Sequence, residues 1–366
     1  MLITITQENL HKAMQLIGRI VGTRANLPVL ANVLLQSEKG RLKLAATDLE
    51  IGLITRIGAK VDKEGAVTVP CRSFAEFIAT IVDDKVTLES DGAVLKVSSV
   101  HAKASFRGID AEEFPVIPTV DASTVDLPAQ AFIAGLKQVV VAVAPEDTRP
   151  VLSGVLIRVK GSEMRLVATD SYRLAEKTIK LDKAGEDYEA IVPAKSINEL
   201  ARIASSISAE SVGCAMKDSQ ILFALDDTVL VSRIIDGKYP DYEKIIPKVL
   251  TTKATIDSDQ LKSTVRAATI FARESANTVK VQFGPAEVVT MSATAESLGS
   301  ASVTVDCQVE GPEAASAFNI RYLSDAASVI GDEKIEFGLS GELAPGLIKG
   351  TKSIDFLYVI MPLKNS

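Results

Sequence analysis

The side chains of this 366-residue chain that could do acid–base chemistry are few and lie far apart in the sequence. Its two histidines are His11 and His101. Both are more typical of exposed histidines, or of buried histidines with hydrogen-bond partners, than of metal ligands. Asp48 and Asp170 could form a carboxylate pair for general acid–base catalysis. Each of them directly follows an Ala–Thr pair, however, and this repetition favours a structural turn role for both carboxylates.

Motifs of nucleotide, zinc and nucleophile chemistry are missing from the sequence. It holds no GxxxxGK[ST] phosphate loop, no HExxH zinc motif and no GxSxG nucleophile turn. Cys71, Cys214 and Cys307 are odd in number and widely spaced, which excludes a disulfide scaffold and a clustered zinc site. We therefore predict no catalytic activity, no metal and no cofactor. Because neither a secretion signal nor a membrane-spanning run occurs, we expect a cytoplasmic protein with no membrane partner.

The composition narrows the kinds of nucleic-acid binding that the chain could perform. A formal net charge of −7 argues against a plain basic nucleic-acid binder. The absence of tryptophan and an aromatic content of 5% argue against a surface that stacks single-stranded bases. With 47% hydrophobic residues, the chain is long enough to bury a core in each of two or three domains.

The sequence repeats itself after about one third of its length. Leu27–Leu30 precedes Ala46–Asp48, and Arg149–Leu152 precedes Ala168–Asp170 at the same spacing. Two further pairs of segments match in the same order, and the last third of the chain matches more weakly through Ala317–Leu323. A period this long indicates duplicated domains rather than a solenoid. We predict three copies, 1–121, 122–250 and 251–366.

Each copy shows the same order of predicted elements. An extended start leads into an amphipathic helix, short alternating strands, a second helix and further strands. This order predicts an α+β fold with sheets packed on helix pairs. The six predicted helices are Gln7–Val21, Cys71–Val82, Ala129–Ala144, Ala194–Ile207, Asp257–Arg273 and Asn319–Ile330.

Charge is distributed unevenly between these helices and the rest of the chain. The six helices carry a net charge of +4, which leaves −11 for the remaining residues. One interpretation is that these charges only solvate helix faces. The segregation over six equivalent segments instead favours one basic surface on an acidic body, which would attract phosphates without reading bases.

Three strings together point to a family: Ala168–Leu174, Tyr239–Tyr242 and Tyr358–Leu363. With the triplicated layout, they make the whole chain similar to the bacterial DNA sliding clamps, the β subunits of DNA polymerase III. The resemblance implies a head-to-tail homodimer whose six similar domains close a ring, with helices lining the hole and antiparallel sheets outside. Such a ring encircles duplex DNA without sequence specificity, tethers the replicative polymerase and is opened by a clamp-loader ATPase.

The resemblance also implies one partner-peptide pocket per chain, because the first copy continues after Ala46–Asp48 without the Arg–Leu of the second copy. Its apolar floor would anchor the clamp-binding motifs of the polymerase and other partners. Leu152 and Leu174 could also be ordinary core residues. An exposed C-terminal Val–Ile–Met–Pro–Leu run, by contrast, would require a cover. The matched pocket positions are Leu152, Thr169, Ser171, Tyr172, Arg173, Leu174, Pro240, Lys244, Ile245, Pro345, Val359, Ile360, Met361, Pro362 and Leu363.

Two more sets of residues follow from the same resemblance. The DNA contacts match Lys12, Arg24, Arg72, Arg149, Lys195, Arg202 and Arg266. The dimer interface would pair Ala104 and Phe106 of one chain with Ile270 and Phe271 of the other. The sequence departs from the family pattern at Glu146, before Arg149, and in the tail Lys364–Ser366.

Two other classes of function stay open at this point. The chain could be a peptide-binding scaffold that has no contact with DNA. It could also be a duplicated α+β hydrolase in which Asp48 and Asp170 supply the acid and base. The sequence favours the DNA-encircling protein over both.

Overall fold

The computed structural model describes residues 1–22, 27–119, 125–145, 149–184, 186–284 and 287–363. Within them the chain forms six α-helices: α1 (Gln7–Ile17), α2 (Cys71–Thr80), α3 (Ala129–Val140), α4 (Ala194–Ile207), α5 (Ser258–Ala272) and α6 (Ile320–Val329). No helix in these ranges is long and apolar enough to cross a membrane. The same ranges contain no group of three His, Cys, Asp or Glu side chains that could hold a metal ion.

The strands outnumber the helices, as the sequence predicts. The described ranges contain β1 (Leu2–Thr6), β2 (Asn32–Glu38), β3 (Arg41–Thr47), β4 (Ile51–Gly58), β5 (Lys60–Lys63), β6 (Ala66–Pro70), β7 (Lys85–Asp91), β8 (Val94–Ser98), β9 (Lys103–Arg107), β10 (Val125–Pro128), β11 (Gly154–Lys160), β12 (Glu163–Thr169), β13 (Arg173–Lys180), β14 (Tyr188–Pro193), β15 (Ser211–Lys217), β16 (Gln220–Leu225), β17 (Thr228–Arg233), β18 (Thr252–Asp257), β19 (Thr278–Gly284), β20 (Val288–Ala295), β21 (Gly299–Glu310), β22 (Ala314–Asn319), β23 (Lys334–Leu339), β24 (Gly346–Gly350) and β25 (Phe356–Ile360).

All six predicted helices are confirmed, and α4 has its predicted bounds. α2 ends two residues early, and α5 and α6 are each shorter by one residue at both ends. The largest differences are in α1 and α3, which each end four residues early. α1 ends at Ile17, because the chain then tightens into a 3₁₀-type turn. In this turn Ile20 N donates to Ile17 O, three residues earlier, at 3.1 Å. α3 ends at Val140, and Ala142 N likewise donates to Val139 O at 3.0 Å. Apolar spacing continues through both tightened turns, so periodicity alone could not separate them from the α-helix.

Contacts divide the chain into two compact units. The first unit comprises 1–130 and 199–234. It holds a five-stranded sheet in the order β5-β1-β7-β8-β9 and an eight-stranded sheet in the order β10-β15-β16-β17-β4-β3-β2-β6. Every pairing in these sheets is antiparallel, including β4 with β17, which aligns Ile51 with Ser232 and Thr55 with Thr228.

The second unit comprises 131–198 and 235–366. Its twelve strands follow the order β14-β11-β12-β13-β25-β24-β23-β18-β21-β20-β19-β22. Within it, β13 pairs antiparallel with β25, which aligns Arg173 with Ile360 and Leu174 with Val359. This pairing repeats the β4–β17 pairing of the first unit, because β4 and β13 occupy equivalent places in their copies.

Local sequence explains where the helices of the third copy begin. At the start of α5, the Asp257 carboxylate accepts hydrogen bonds from Asp259 N and Gln260 N, both at 3.0 Å. At the start of α6, the Asn319 side chain accepts from Arg321 N at 3.0 Å. Such caps satisfy amide groups that have no partner in the first helical turn.

Candidate functional site

A tight turn between β12 and β13 organises the predicted pocket in the second unit. Thr169 Oγ1 donates to Arg173 O at 2.6 Å and accepts from Ser171 N at 3.2 Å. Asp170 Oδ1 accepts from Tyr172 N at 2.9 Å and from Arg173 N at 3.0 Å. Ser171 adopts a left-handed backbone with φ of 77°. The predicted turn role of Asp170 is therefore confirmed, and the turn points Tyr172 outward with 61% exposure.

The Arg173 guanidinium lies at the centre of a half-buried polar cluster. Its Nε donates to Asp170 Oδ2 at 3.0 Å, and its Nη1 forms an ion pair with Asp325 of α6. The guanidinium also lies over the Tyr322 ring, 4.4 Å from the ring centroid. Burial opposes its charge, but the nearby Tyr358, Asp325 and Asp170 side chains outweigh burial and raise the pKa of Arg173. The arrangement fixes β13 to α6 by charge-assisted contacts.

The C-terminal segment that follows β25 is attached at two points. Met361 N donates to Tyr172 O at 2.9 Å, which extends the β13–β25 pairing past the end of the strand. Leu363 N donates to Ala317 O of β22 at 2.7 Å. Met361, Pro362 and Leu363 are half-buried, so this segment presents apolar surface beside the exposed Tyr172 ring.

Four of the predicted pocket residues belong to one apolar cluster beneath this surface. Leu152, Leu174 and Val359 are buried there, and the half-buried Ile245 packs against them. The expected exposure of the whole C-terminal apolar run is wrong, since Val359 and Ile360 are fully buried. Both lie in β25 between β13 and β24, where neighbouring strands cover them. Within this apolar run, Met361, Pro362 and Leu363 are the residues that remain partly open to solvent.

The remaining predicted pocket residues lie on a neighbouring part of the same unit. Thr169 is buried in the turn, whereas Pro240 is exposed. Lys244 and Ile245 form part of a short 3₁₀ turn, Glu243–Ile245. Together with Pro345 and Ser340 they line an open depression. Lys244 also forms an ion pair with Asp241 at 2.7 Å, which raises the pKa of its ammonium group.

The first copy contains the same turn between β3 and β4. Thr47 Oγ1 donates to Ile51 O at 2.9 Å, and Asp48 Oδ1 accepts from Glu50 N at 3.0 Å and from Ile51 N at 2.7 Å. Leu49 is left-handed, with φ of 76°. The predicted turn role of Asp48 is confirmed as well, and both aspartates use a carboxylate oxygen to hold backbone amides.

The predicted DNA contacts lie on or beside helices. Lys12, Arg72 and Arg202 lie on α1, α2 and α4, and each pairs with a carboxylate of its own helix, Glu8, Glu76 and Glu199 respectively. Lys195 lies in the first turn of α4 and Arg266 on α5; both are exposed. Arg149 is exposed just before the 3₁₀ turn Pro150–Leu152. Arg24 lies outside the described residues, as do Glu146 and Lys364–Ser366.

The predicted interface residues lie one pair in each unit. Ala104 and Phe106 belong to β9, an edge strand of the five-stranded sheet. The Phe106 ring meets Phe74 and Phe77 edge-on, at centroid distances of 5.5 and 5.7 Å. Ile270 and Phe271 lie near the end of α5, where Ile270 is 58% exposed.

Two residues of the pocket region escaped sequence reasoning, namely Tyr322 and Asp325 of α6. They contact Arg173 across about 150 positions of sequence. No motif or spacing links them to the Ala168–Leu174 string. Only the pairing of β13 with β25, which brings the third copy against the second, puts α6 within reach.

Solved structures with the same arrangement are sliding clamps. The chain matches a DNA polymerase sliding clamp from Bacillus subtilis with a TM-score of 0.94 at 26% identity. It matches a DNA polymerase III beta-subunit clamp from Pseudomonas aeruginosa, bound to griselimycin, with a TM-score of 0.94 at 28% identity. Both matches cover all of both chains. These likenesses define the fold as three tandem clamp domains with two helices each.

The sequence comparisons agree with the structural ones. The N-terminal, central and C-terminal domain families of the DNA polymerase III beta subunit match residues 1–118, 126–241 and 243–364. A beta sliding clamp from Synechococcus elongatus is 30% identical over 368 residues, which cover 98% of each chain. The chain therefore belongs to the DNA polymerase III beta-subunit family. This membership supports the processivity role and gives no support to the hydrolase or to a scaffold without DNA.

Proposed function

We propose that this protein is the processivity factor of a bacterial DNA polymerase, acting as a closed ring that slides on duplex DNA. Membership of the beta sliding clamp family carries this conclusion. Holding DNA by enclosure requires only weak contacts with phosphates, so a net charge of −7 is compatible with the role. No bond-making step belongs to it. We assign it to the cytoplasm, and we place its domains at 1–121, 122–250 and 251–366.

A strand pairing that the chain uses twice supports the proposed ring closure. In β4–β17 and β13–β25, the third strand after the first helix of one copy pairs with the last strand of the next. The equivalent strand of the third copy is β21, and the last strand of the first copy is β9. Along Gly299–Asp306, β21 pairs on one side only among the described residues, and β9 is a sheet edge. Because unpaired edges favour strand addition, we propose that β21 pairs with β9 of a second chain.

Two such junctions would close a head-to-tail homodimer of six copies. In it, the predicted interface residues Ala104 and Phe106 on β9 would meet Ile270 and Phe271 on α5. Ile270→Glu tests this placement, and we expect monomers in sedimentation because a charge would be buried at the junction. Ile354→Glu is the matched control, since Ile354 is 88% exposed and lies outside the proposed junction. An unchanged dimer in Ile270→Glu would refute the junction.

The enclosure itself is tested by retention on DNA. After loading by a bacterial clamp loader, the protein should stay on closed circular DNA at high salt. It should leave the same DNA once that DNA is cut, because a ring slides off a free end. Equal retention on circular and cut DNA would overturn the proposed function.

For the partner site, we propose that the segment Met361–Leu363, the turn residues Ser171–Arg173 and the depression beside Pro345 together bind short peptides. The apolar cluster around Leu174 supplies a rigid floor, and Met361–Leu363 supplies half-buried apolar surface. Such a site would anchor one or two apolar side chains of the polymerase, the clamp loader or another partner. Binding of a fluorescent peptide that carries a polymerase clamp-binding motif measures it directly.

A further inference from the structure

The two strand junctions within the chain, β4–β17 and β13–β25, each carry an ion pair at the start of their last strand. Asp227 directly precedes β17, and its carboxylate pairs with Arg41 of β3. Asp355 directly precedes β25, and its carboxylate pairs with Lys177 of β13 at 2.6 Å. Each pair joins one copy to the next through charges that stay constant around neutral pH.

His101 takes the place of these aspartates in the first copy. Asp227 is the second residue of the two-residue turn between β16 and β17. His101 is the second residue of the turn before β9, which Ser99 N closes by donating to Ala102 O at 2.8 Å. The edge that we expect to meet a second chain therefore presents a histidine where the other two junctions have an aspartate.

The strands β4 and β21, which form the other side of these junctions, correspond residue by residue. The threonine of the preceding Ala–Thr pair aligns with Gly52 in the first copy and with Ser300 in the third. Arg56, whose amide donates to Asp227 O at 3.0 Å, lies four residues after Gly52. Its counterpart, four residues after Ser300, is Thr304. In the β21–β9 junction, the histidine carbonyl would therefore accept from Thr304 N of a second chain.

This correspondence brings an acidic side chain of the second chain next to the histidine. Asp306 follows Thr304 by two residues on the exposed face of β21, so it would be a diagonal neighbour of the histidine across the junction. The β4–β17 junction shows that side chains meet at this point. There Gly58 corresponds to Asp306, and its cross-strand partner Arg41 reaches Asp227. The β21–β9 junction would thus exchange the charges of the pair.

Asp83 of the same chain determines which nitrogen of the His101 ring titrates. Asp83 Oδ1 lies 2.7 Å from His101 Nδ1, and Asp83 Oδ2 accepts from His101 N at 2.9 Å. Hydrogen bonds from the Ser99 hydroxyl and from His101 lower the pKa of Asp83 to about 2, so its carboxylate is ionised around neutral pH. Because an ionised carboxylate only accepts, Nδ1 carries a proton and Nε2 gains or loses one. The His101 side chain is 75% exposed, which leaves Nε2 open to a second chain.

Among the described residues around this point, His101 is the group whose charge changes near neutral pH. Aspartate and glutamate are anionic and lysine is cationic between about pH 6 and about pH 8, whereas histidine titrates there. The other charged groups around it are Asp83, Asp84 and Lys85 after α2, Lys103 on β9, and Glu287 and Asp306 of the second chain.

We propose that His101 and Asp306 of a second chain form a proton-dependent ion pair that tightens the dimer as pH falls. A neutral Nε2 presents a lone pair to the carboxylate, whereas a protonated Nε2 donates a charge-assisted hydrogen bond to it. Association therefore takes up a proton. The gain in affinity is present at the acidic end of the histidine range and is lost as pH rises through it. The proposal rests on the head-to-tail dimer of the proposed function and adds a pH control of its strength.

The test measures the dimer dissociation constant of the full chain by fluorescence-detected sedimentation at about pH 8 and about pH 6. The unaltered dimer should be about fivefold tighter at the lower pH, which two exposed ion pairs per dimer supply. His101→Asn keeps a donor for Asp83 without a titrating nitrogen and should remove the pH dependence. Asp306→Asn should remove it as well, because a neutral amide does not favour the charged ring. His11→Gln is the matched control, since it alters the other histidine, on α1, and should keep the fivefold change.

His101→Lys carries a constant charge and should bind at the higher pH about as tightly as the unaltered dimer does at the lower pH. A dissociation constant of the unaltered dimer that does not change with pH would overturn the proposal and leave the dimer intact. A pH dependence that survives in Asp306→Asn would also overturn it, because the effect would then lie within one chain, at the Asp83 contact. Monomers at both pH values would instead contradict the head-to-tail dimer itself. Thermal unfolding of each variant verifies that the fold persists.

Discussion

The β3–β4 turn and the β12–β13 turn have the same backbone conformation but different side-chain contacts. In both, a threonine hydroxyl and an aspartate carboxylate hold the same amides, and the residue after the aspartate is left-handed. The residue that ends the turn differs. Ile51 is buried, whereas Arg173 reaches Asp325 and Tyr322 of α6. The shared backbone builds the sheet, and one changed side chain converts the second turn into part of a site.

The strand ends beside the two turns differ in the same way. Arg233 N donates to Glu50 O at 2.9 Å, just as Met361 N donates to Tyr172 O at 2.9 Å. The pairing of the first copy with the second places a charged pair at this point, since Arg233 and Glu50 also interact through their side chains at 3.5 Å. The β13–β25 pairing, between the second and third copies, places a methionine and an exposed tyrosine there. Duplication thus kept the hydrogen bonds and changed the surface chemistry.

The largest effect is expected where the two turns differ most. Arg173→Ile, which gives the second turn the residue of the first, should reduce the free energy of unfolding by about 3 kcal/mol. The reason is that Asp170, almost entirely buried, would lose its partner. The shift of the denaturant midpoint measures it. Arg173→Lys keeps the charge without the guanidinium fork and should lose less. A loss below about 1 kcal/mol for Arg173→Ile would contradict a stabilising role of the cluster.

A somewhat smaller effect is expected at the C-terminal segment. Removal of Met361–Ser366 should weaken binding of the polymerase-motif peptide at least 30-fold, about 2 kcal/mol, because the half-buried apolar surface is lost. The dimer should persist in sedimentation. Arg233→Ala is the control, because Arg233 ends β17 of the β4–β17 pairing and so takes the place that Met361 has beside β13. This variant should leave the peptide affinity unchanged. Similar affinity in the shortened chain would place the peptide site elsewhere.

The fold could be predicted from the sequence because the patterns that indicate it are local and occur in each copy. Helical periodicity located α1 to α6, and the repeated Ala–Thr–Asp string located both turns. Contacts that form only when two copies pair could not be predicted from these local patterns. Arg173 and Asp325 meet because β13 lies beside β25, and Ile360 is buried for the same reason. A residue's type indicates a charge or an apolar surface, whereas strand pairing decides which partner it meets.

A third prediction concerns the two turn aspartates. Both accept hydrogen bonds from turn amides, and Asp170 also pairs with the Arg173 side chain. Asp48→Ala should destabilise the protein by about 1 kcal/mol, because two backbone amides lose their acceptor. Asp170→Ala should cost about 1 kcal/mol more, because the Arg173 side chain also loses a charge-assisted hydrogen bond. Denaturation of both variants measures the difference. Equal losses would mean that the Asp170–Arg173 pair adds nothing beyond the turn.

The smallest effect concerns the left-handed residues, Leu49 and Ser171, with φ of 76° and 77°. An L-residue in this region carries about 1–2 kcal/mol of strain, and glycine adds about 0.5–1 kcal/mol of entropy to the unfolded chain. Leu49→Gly and Ser171→Gly should therefore each stabilise the protein by about 0.5 kcal/mol, seen as a small rise of the unfolding temperature. Asparagine, which tolerates this conformation, should act in the same direction. Opposite signs at the two positions would show that the turns are not equally constrained, and that the likeness of their backbones ends at the hydrogen bonds.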